Sequence, residues 1–198
     1  MELFYWDIET VGNYIDYQTM QDNDEKCSNL FKSKFDRYDW INKYESIDDA
    51  YINQSPIIST YGKIVCISFG YLDNNGNKKI SSYYGDNEKE IVNSFNNLLK
   101  KIEKKNFKLC GYRILHFDLP WLLHKLHKYD IKPADIIYMY DKKPWDMRIV
   151  DMADDWKFKF AYPSTFDEMC YELGVDSPKD NMNGSEVHHV YCLVVLKR

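Results

Sequence analysis

The chain has 198 residues, enough for one well-packed domain, and is rich in aromatic side chains, with 17 Tyr, 10 Phe and 5 Trp. Its formal net charge of -5 argues against the global basic field of a protein that coats nucleic acid. The 5 cysteines show no C-x-x-C spacing, and no signal peptide or apolar run of ~18 residues is present, which together predict a soluble cytoplasmic protein without disulfides, zinc thiolates or membrane spans.

The first ten residues form an apolar and aromatic run that ends on two acids, which predicts a buried strand. Because strand side chains alternate with period two, Asp7 and Glu9 should face the same way. Two carboxylates held this close repel each other unless cations lie between them. The pair therefore predicts part of a divalent metal site.

The next segments alternate between polar and apolar character. Residues from about 12 to 61 are polar and acidic with scattered aromatics, and predict a partly helical excursion whose aromatics dock on the core. Residues 63–72 and 78–84 are rich in β-branched and aromatic side chains and flank an Asn-Gly turn. This pattern predicts an antiparallel hairpin.

The second half reads as alternating helices and strands. Capping signals and apolar faces predict a helix from Asn87, a strand near 107–112, a helix that opens at Asp118, a strand near 147–152 and a helix over 164–173. This order favours an α/β domain with a mixed sheet flanked by helices.

Asp118 is the third acid of interest, at the start of a predicted helix. Taken alone, the simpler interpretation is an N-cap, because an acid there accepts a backbone N–H and offsets the helix dipole. Asp7 and Glu9 alone are also unspecific, since D-x-E occurs at strand ends by chance. Their combined order and context are more informative.

Together these residues resemble the DEDD 3′-to-5′ exonucleases, which have a ribonuclease H-like fold. The family's first motif, D-x-E at the end of the first strand, is matched by Asp7-Ile8-Glu9-Thr10, and its second, F-D at a helix start, by Phe117-Asp118. The chain is most similar to predicted exonucleases related to the proofreading domain of family B DNA polymerases. Further segments of that subfamily are matched at residues 62–71, 143–145, 173–180 and 184–187.

The resemblance implies a single ribonuclease H-like exonuclease domain over residues 1–198, with the variable excursion at about 12–61. It implies two Mg²⁺ or Mn²⁺ ions about 4 Å apart, which activate a water for attack on the terminal phosphodiester and stabilise the leaving 3′-oxygen. In this scheme Asp7 is shared by both ions, Glu9 binds one, and Asp118 completes the other.

By the same resemblance, Thr10 contacts the terminal nucleotide and Leu119 acts as a wedge or stacking surface. The substrate is expected to be single-stranded or frayed DNA 3′ ends, with RNA left open and no membrane involved. Arg113 stands where the second motif usually has Asn. Its guanidinium can bind phosphate or compete with a metal.

The family's third motif, Y-C-x-x-D, has no full match. Tyr191-Cys192 is similar to its first two residues but comes too early, and the position three beyond Cys192 is Val195 rather than Asp. The expectation is a chain that lacks the last helix and the fourth carboxylate, holds its second metal weakly and has reduced activity. Asp151 and the pair Asp154-Asp155 are the only acids considered as replacements.

Two alternatives remain beside the exonuclease. One is a catalytically inactive nucleic-acid-binding module, and the other is a different two-metal enzyme of the same fold, such as an endonuclease. Lys142 to Trp145 and Trp156 to Phe158 interleave basic and aromatic residues, as in proteins that stack single-stranded bases. A loop anchored by Trp145 in the core explains the first segment equally well.

Overall fold

A five-stranded mixed sheet organises the chain, seen in a computed structural model that describes residues 2–138, 140–158, 164–177 and 184–194. The strands, in sheet order β3-β2-β1-β4-β5, are β1 (Glu2–Gly12), β2 (Gly62–Leu72), β3 (Lys78–Tyr84), β4 (Phe107–Gly111) and β5 (Ile149–Asp151). β2 and β3 are antiparallel, whereas β4 pairs in parallel with both β1 and β5. The predicted mixed α/β sheet and its hairpin are confirmed.

Helices occupy most of the connections between strands. They are α1 (Tyr17–Asn23), α2 (Glu25–Arg37), α3 (Ile47–Gln54), α4 (Glu88–Ile102), α5 (Asp118–Lys128), α6 (Met152–Trp156), α7 (Phe166–Leu173) and α8 (Gly184–Val194). The predicted helices that became α4, α5 and α7 are confirmed. Within the described residues, none of the helices is long and apolar enough to cross a membrane.

Two elements differ from the sequence prediction. β5 ends at Asp151, because Met152 already begins the short helix α6. No helix is predicted after Leu173, yet Gly184–Val194 form α8, which carries both Tyr191 and Cys192. Position 195, where the third motif would have its acid, lies outside the described residues.

The residues divide into two compact units, Met1–Ile8 with Val65–Asn181, and Glu9–Ile64 with Met182–Arg198. In the first unit, aromatic rings from the sheet pack against α4. The ring centroids of Trp6 and Phe95 lie 5.1 Å apart, and Phe69 lies 5.8 Å from both Phe95 and Phe4. Alternating burial along β1, with Phe4, Trp6 and Ile8 buried, is the consequence.

The second unit has an aromatic cluster of its own, formed by the predicted excursion. The Phe31 ring lies at its centre, with centroid distances between 5.0 and 6.0 Å to the rings of Tyr17, Trp40, Tyr51 and Tyr61. The aromatics that were predicted to dock on the core thus form a buried cluster within this unit.

Helix α8 belongs to the same unit and is held by a buried histidine. The Gly12 N–H donates to Nδ1 of His188 at 3.0 Å. The contact is close, because a Cβ on Gly12 would lie 2.4 Å from Ser55 Oγ and 2.9 Å from His188 Cε1. Burial lowers the pKa of His188, which keeps the ring neutral and its Nδ1 able to accept.

The first unit also contains a buried acid neutralised by cations. Glu88, in the first turn of α4, lies 3.3 Å from Nζ of Lys125 and 3.1 Å from Nζ of Lys128, both on α5, and Tyr129 donates its hydroxyl to Glu88 at 2.6 Å. Burial lowers the pKa of Lys125 to about 8, although Glu88 acts in the opposite direction. The network joins the two helices at the sheet.

Glu88→Gln should lower the free energy of unfolding by about 3 kcal/mol, because it leaves the buried Lys125 ammonium without its carboxylate. Urea unfolding followed by circular dichroism measures the change. Glu90→Gln, an exposed change in the same helical turn, is the matched control and should cost less than about 0.5 kcal/mol. Equal losses in the two variants would contradict a structural role for the Glu88 network.

Candidate active site

The Asp118 side chain is bonded to the opening strand. The residue at the N-cap of α5 is Phe117, and Asp118 is the first helical residue. Its Oδ1 accepts the N–H of Ile8 on β1 at 2.9 Å, across 110 positions of sequence. The carboxyl group is only 2% exposed. The N-cap interpretation is therefore wrong, and a tertiary contact determines where this acid lies.

Asp7 meets Asp118 at this point. The side chain of Asp7 is exposed on β1, between the buried Trp6 and Ile8, and it is hydrogen-bonded to the Asp118 carboxyl. Burial, and next the negative charge of Asp7, raise the pKa of Asp118 to about 8, against the lowering effect of the Ile8 N–H. Near neutral pH, without metal, the pair therefore holds a proton.

The donor set fits a hard divalent cation. Two carboxylates in hydrogen-bonding contact supply oxygen ligands, which Mg²⁺ and Mn²⁺ prefer, and a cation would remove the repulsion that the proton now relieves. The structure brings Asp7 and Asp118 together from distant segments of the chain. Their identity as metal ligands stays a proposal.

Glu9 and Thr10 follow on β1. Glu9 is half-buried, and the period of two in a strand gives it the same facing as Asp7. Thr10 has the opposite facing and is 7% exposed. Its hydroxyl donates to the carbonyl of Pro56 at 2.5 Å. The Thr10 hydroxyl is therefore already bonded to a backbone carbonyl of its own unit.

Arg113 lies in the loop that leads from β4 into α5, and Leu119 lies in the first turn of α5. Arg113 is exposed, has a φ of 59°, and its guanidinium carbon lies 6.0 Å from the centroid of the Tyr112 ring. Leu119 is 1% exposed, so its side chain belongs to the core in this structure. Of these two predicted substrate contacts, only Arg113 offers surface to a ligand.

Three further potential ligands lie in the loop before α5, at the end of β5 and on α6. Oxygen or nitrogen atoms of His116, Asp151 and Asp154 all lie within 4.8 Å of one another. Both oxygens of Asp151 accept backbone N–H groups. Asp154 pairs with His116 at 3.1 Å and with Lys157 at 2.5 Å. These bonds anchor the loop before α5, and the only signal of this in the sequence is an acid at the end of a short predicted strand.

The two segments of mixed basic and aromatic residues expose their rings. Trp145 is 76% exposed and has the Lys143 ammonium 5.4 Å from its ring centroid. It therefore does not anchor the loop in the core. Phe158 is 75% exposed, and its ring centroid lies 6.3 Å from that of Trp156. Both segments have aromatic surface that a base could contact.

No protein-family profile and no curated protein matches the sequence of the chain. Solved structures do match its fold. A family B DNA polymerase from the hyperthermophilic archaeon Pyrobaculum calidifontis superposes with a TM-score of 0.51 and 13% identity, over 100% of this chain and 22% of that chain. A product-bound exonuclease I superposes with a TM-score of 0.51 and 10% identity, over 100% of this chain and 43% of that one.

A zinc-bound complex of Escherichia coli exonuclease I with single-stranded DNA gives a TM-score of 0.52 at 9% identity, over 99% of this chain and 41% of that chain. The chain thus spans less than half the length of each of these structures. At such identities the likeness concerns the fold alone, and it confirms the ribonuclease H-like α/β class.

The raised pKa of Asp118 predicts a specific dependence of stability on pH. Below pH ~3.9, the pKa of Asp in an unfolded chain, the carboxyl is protonated in both states. As the pH rises from there to about 8, the unfolded chain releases the proton while the folded chain retains it, so the free energy of unfolding falls. This contribution is lost once the pH passes the folded pKa.

Asp118→Asn should remove this dependence, because the amide keeps an oxygen for the Ile8 N–H, can donate to Asp7 and does not ionise. The stability of the variant relative to the parent should rise between pH 5 and pH 8, by roughly 1.4 kcal/mol for each pH unit. Urea unfolding in EDTA measures it, with the exposed Asp141→Asn as control. A difference that does not change with pH would refute the buried proton.

Proposed function

We propose that the chain is a metal-dependent 3′-to-5′ exonuclease that removes nucleotides from single-stranded or frayed DNA ends. The observation that carries this proposal is the contact between the Asp7 and Asp118 carboxyls, with Asp118 bonded to the Ile8 N–H. An acid pair on the first strand and at the start of a later helix, in a ribonuclease H-like fold, has the arrangement expected of the first two exonuclease motifs.

In this proposal Asp7, Glu9 and Asp118 hold two Mg²⁺ or Mn²⁺ ions. When bound, the ions would lower the pKa of the attacking water and stabilise the leaving 3′-oxygen. The chain's own residues set the conditions for this. Ile8 fixes the orientation of the Asp118 carboxyl, and burial keeps that carboxyl protonated until a cation replaces the proton.

Thr10, Arg113 and Leu119 are the proposed substrate contacts. The exposed guanidinium of Arg113 can bind a phosphate of the strand. Thr10 can present its backbone to the terminal nucleotide, since its hydroxyl is bonded to Pro56. Leu119 is buried, so a role as a wedge requires the first turn of α5 to move when the substrate binds.

A catalytically inactive nucleic-acid-binding module is the second candidate. Val195 stands in place of the acid of the third motif, which favours loss of one ligand. The exposed rings of Trp145 and Phe158 provide surface for bases without requiring any metal chemistry. This candidate shares the fold and differs only in whether the phosphodiester is cleaved.

Cleavage of a labelled single-stranded DNA in Mg²⁺ or Mn²⁺ tests the proposal. The protein should shorten a 5′-labelled oligonucleotide stepwise from its 3′ end, and Asp7→Ala should lower the rate at least ~100-fold because a shared ligand is lost. Asp141→Ala, an exposed acid outside the site, is the matched control and should leave the rate unchanged.

Other outcomes separate the alternatives. Cleavage of a circular single strand would indicate an endonuclease, because an exonuclease needs an end. Binding of the oligonucleotide without metal-dependent cleavage would support the inactive module. An RNA strand of the same sequence, run in parallel, compares the two sugar types.

A further inference from the structure

We infer that Asp151 is a positioning residue that holds the β4–α5 loop, residues 112–117, and thereby places Asp118 against Asp7. The inference rests on the proposed function of the Asp7 and Asp118 pair and adds a residue to it. Asp151 is the last residue of β5, and β5 lies beside β4 in parallel. Its side chain therefore emerges at the same edge of the sheet as the loop.

The bonds of Asp151 reach the loop directly. Its Oδ1 accepts the N–H of Arg113 at 2.9 Å, and its Oδ2 accepts the N–H of Leu115 at 3.0 Å. A third N–H, from Ala153, donates to Oδ1 at 3.0 Å. The residue is 3% exposed, so water does not replace these acceptors. One buried carboxylate thus fixes two alternate amides of the loop.

The loop needs such an anchor, because its backbone is held in an unfavourable and crowded form. Arg113 has a φ of 59°, in the left-handed region that disfavours residues with a Cβ. At the loop's entrance a Cβ on Gly111 would lie 2.1 Å from Ile114 Cγ2 and 2.8 Å from the Trp6 carbonyl oxygen. Such conformations persist only where the surroundings over-determine them.

The position of the loop is passed on to Asp118 through backbone bonds. The Arg113 carbonyl accepts the N–H groups of His116 and Phe117, each at 3.0 Å, and the Ile114 carbonyl accepts the N–H of Leu119 at 2.9 Å. Asp118 lies between these bonded residues. A shift of Arg113 or Leu115 therefore moves the first turn of α5, and with it the carboxyl that accepts the Ile8 N–H.

His116 supplies a second, weaker tie for the same loop. Its Nε2 lies 3.1 Å from Oδ2 of Asp154, on the helix that follows Asp151. This pair is exposed, and Asp154 also pairs with Lys157, so its contribution is smaller than that of the buried carboxylate. His116→Ala removes this weaker contact and leaves Asp151 intact, so it should loosen the loop less than a change at Asp151 does.

The alternative role for Asp151, as a replacement metal ligand, predicts a different result. A ligand matters only when metal is present, whereas a positioning residue matters in the metal-free protein. The Ile8 amide is the reporter, because its exchange with solvent depends on the bond to Asp118. It is read by hydrogen exchange in EDTA, without substrate or catalysis.

Asp151→Asn is the test variant, because its amide nitrogen cannot accept the Leu115 N–H. In EDTA the Ile8 amide should exchange at least about tenfold faster than in the parent. The affinity for Mn²⁺ alone, by calorimetry, should fall by roughly 10- to 100-fold. Asp141→Asn, the same change at an exposed acid outside the site, is the matched control and should alter neither quantity.

An unchanged Ile8 amide in folded Asp151→Asn would overturn the inference, and weakened Mn²⁺ binding beside it would identify Asp151 as a ligand. If Asp151→Asn does not fold, His116→Ala decides. A two- to threefold faster exchange of Ile8 supports the inference, and no change overturns it. A parent protein that binds Mn²⁺ but cleaves no DNA refutes the proposed function alone, since the Ile8 readout needs no cleavage.

Discussion

One hydrogen bond, from the Ile8 N–H to the Asp118 carboxyl, joins the opening strand to a helix 110 residues later. It brings Asp118 into the core beside Asp7, where burial and like charge raise the pKa of Asp118 to about 8. The folded chain thus maintains an arrangement that water and charge repulsion both oppose. Two features of the fold stabilise the buried acid pair against this cost: the packed aromatic core of β1 and α4, and the anchored loop before α5.

Most elements of the fold could be predicted because their signals are local. The Asn-Gly turn gave the β2–β3 hairpin, and Asn87 accepts the N–H of Glu90 at the start of α4. Thr165 and Glu168 form a capping box on α7, and Gly174 ends that helix with a φ of 66°. Each of these signals acts within about four residues, so the sequence alone contains the whole interaction.

The missed features depend on partners far away in sequence. Asp118 looked like an N-cap because no residue near it in the sequence indicates that the Ile8 N–H is its donor. Asp151 looked like a spare acid, although its carboxylate accepts amides 36 and 38 positions earlier. The aromatics of residues 12–61 show no regular periodicity, so the sequence did not reveal that they form a cluster of their own. The position of Trp145 was ambiguous because a large apolar ring usually indicates burial. In the structure its ring is exposed and does not pack in the core.

The described part of the first unit contains three buried acids, Glu88, Asp118 and Asp151, and the surroundings of the first two distinguish a structural role from a chemical one. Glu88 is surrounded by the ammonium groups of Lys125 and Lys128 and by the Tyr129 hydroxyl, so its charge is already compensated. Asp118 instead faces a second carboxyl, and its pKa rises. A compensated buried charge has nothing further to bind, whereas an acid pair that must share a proton has affinity for any cation able to replace it. This difference supports the proposed metal site at Asp118 and a structural role for Glu88.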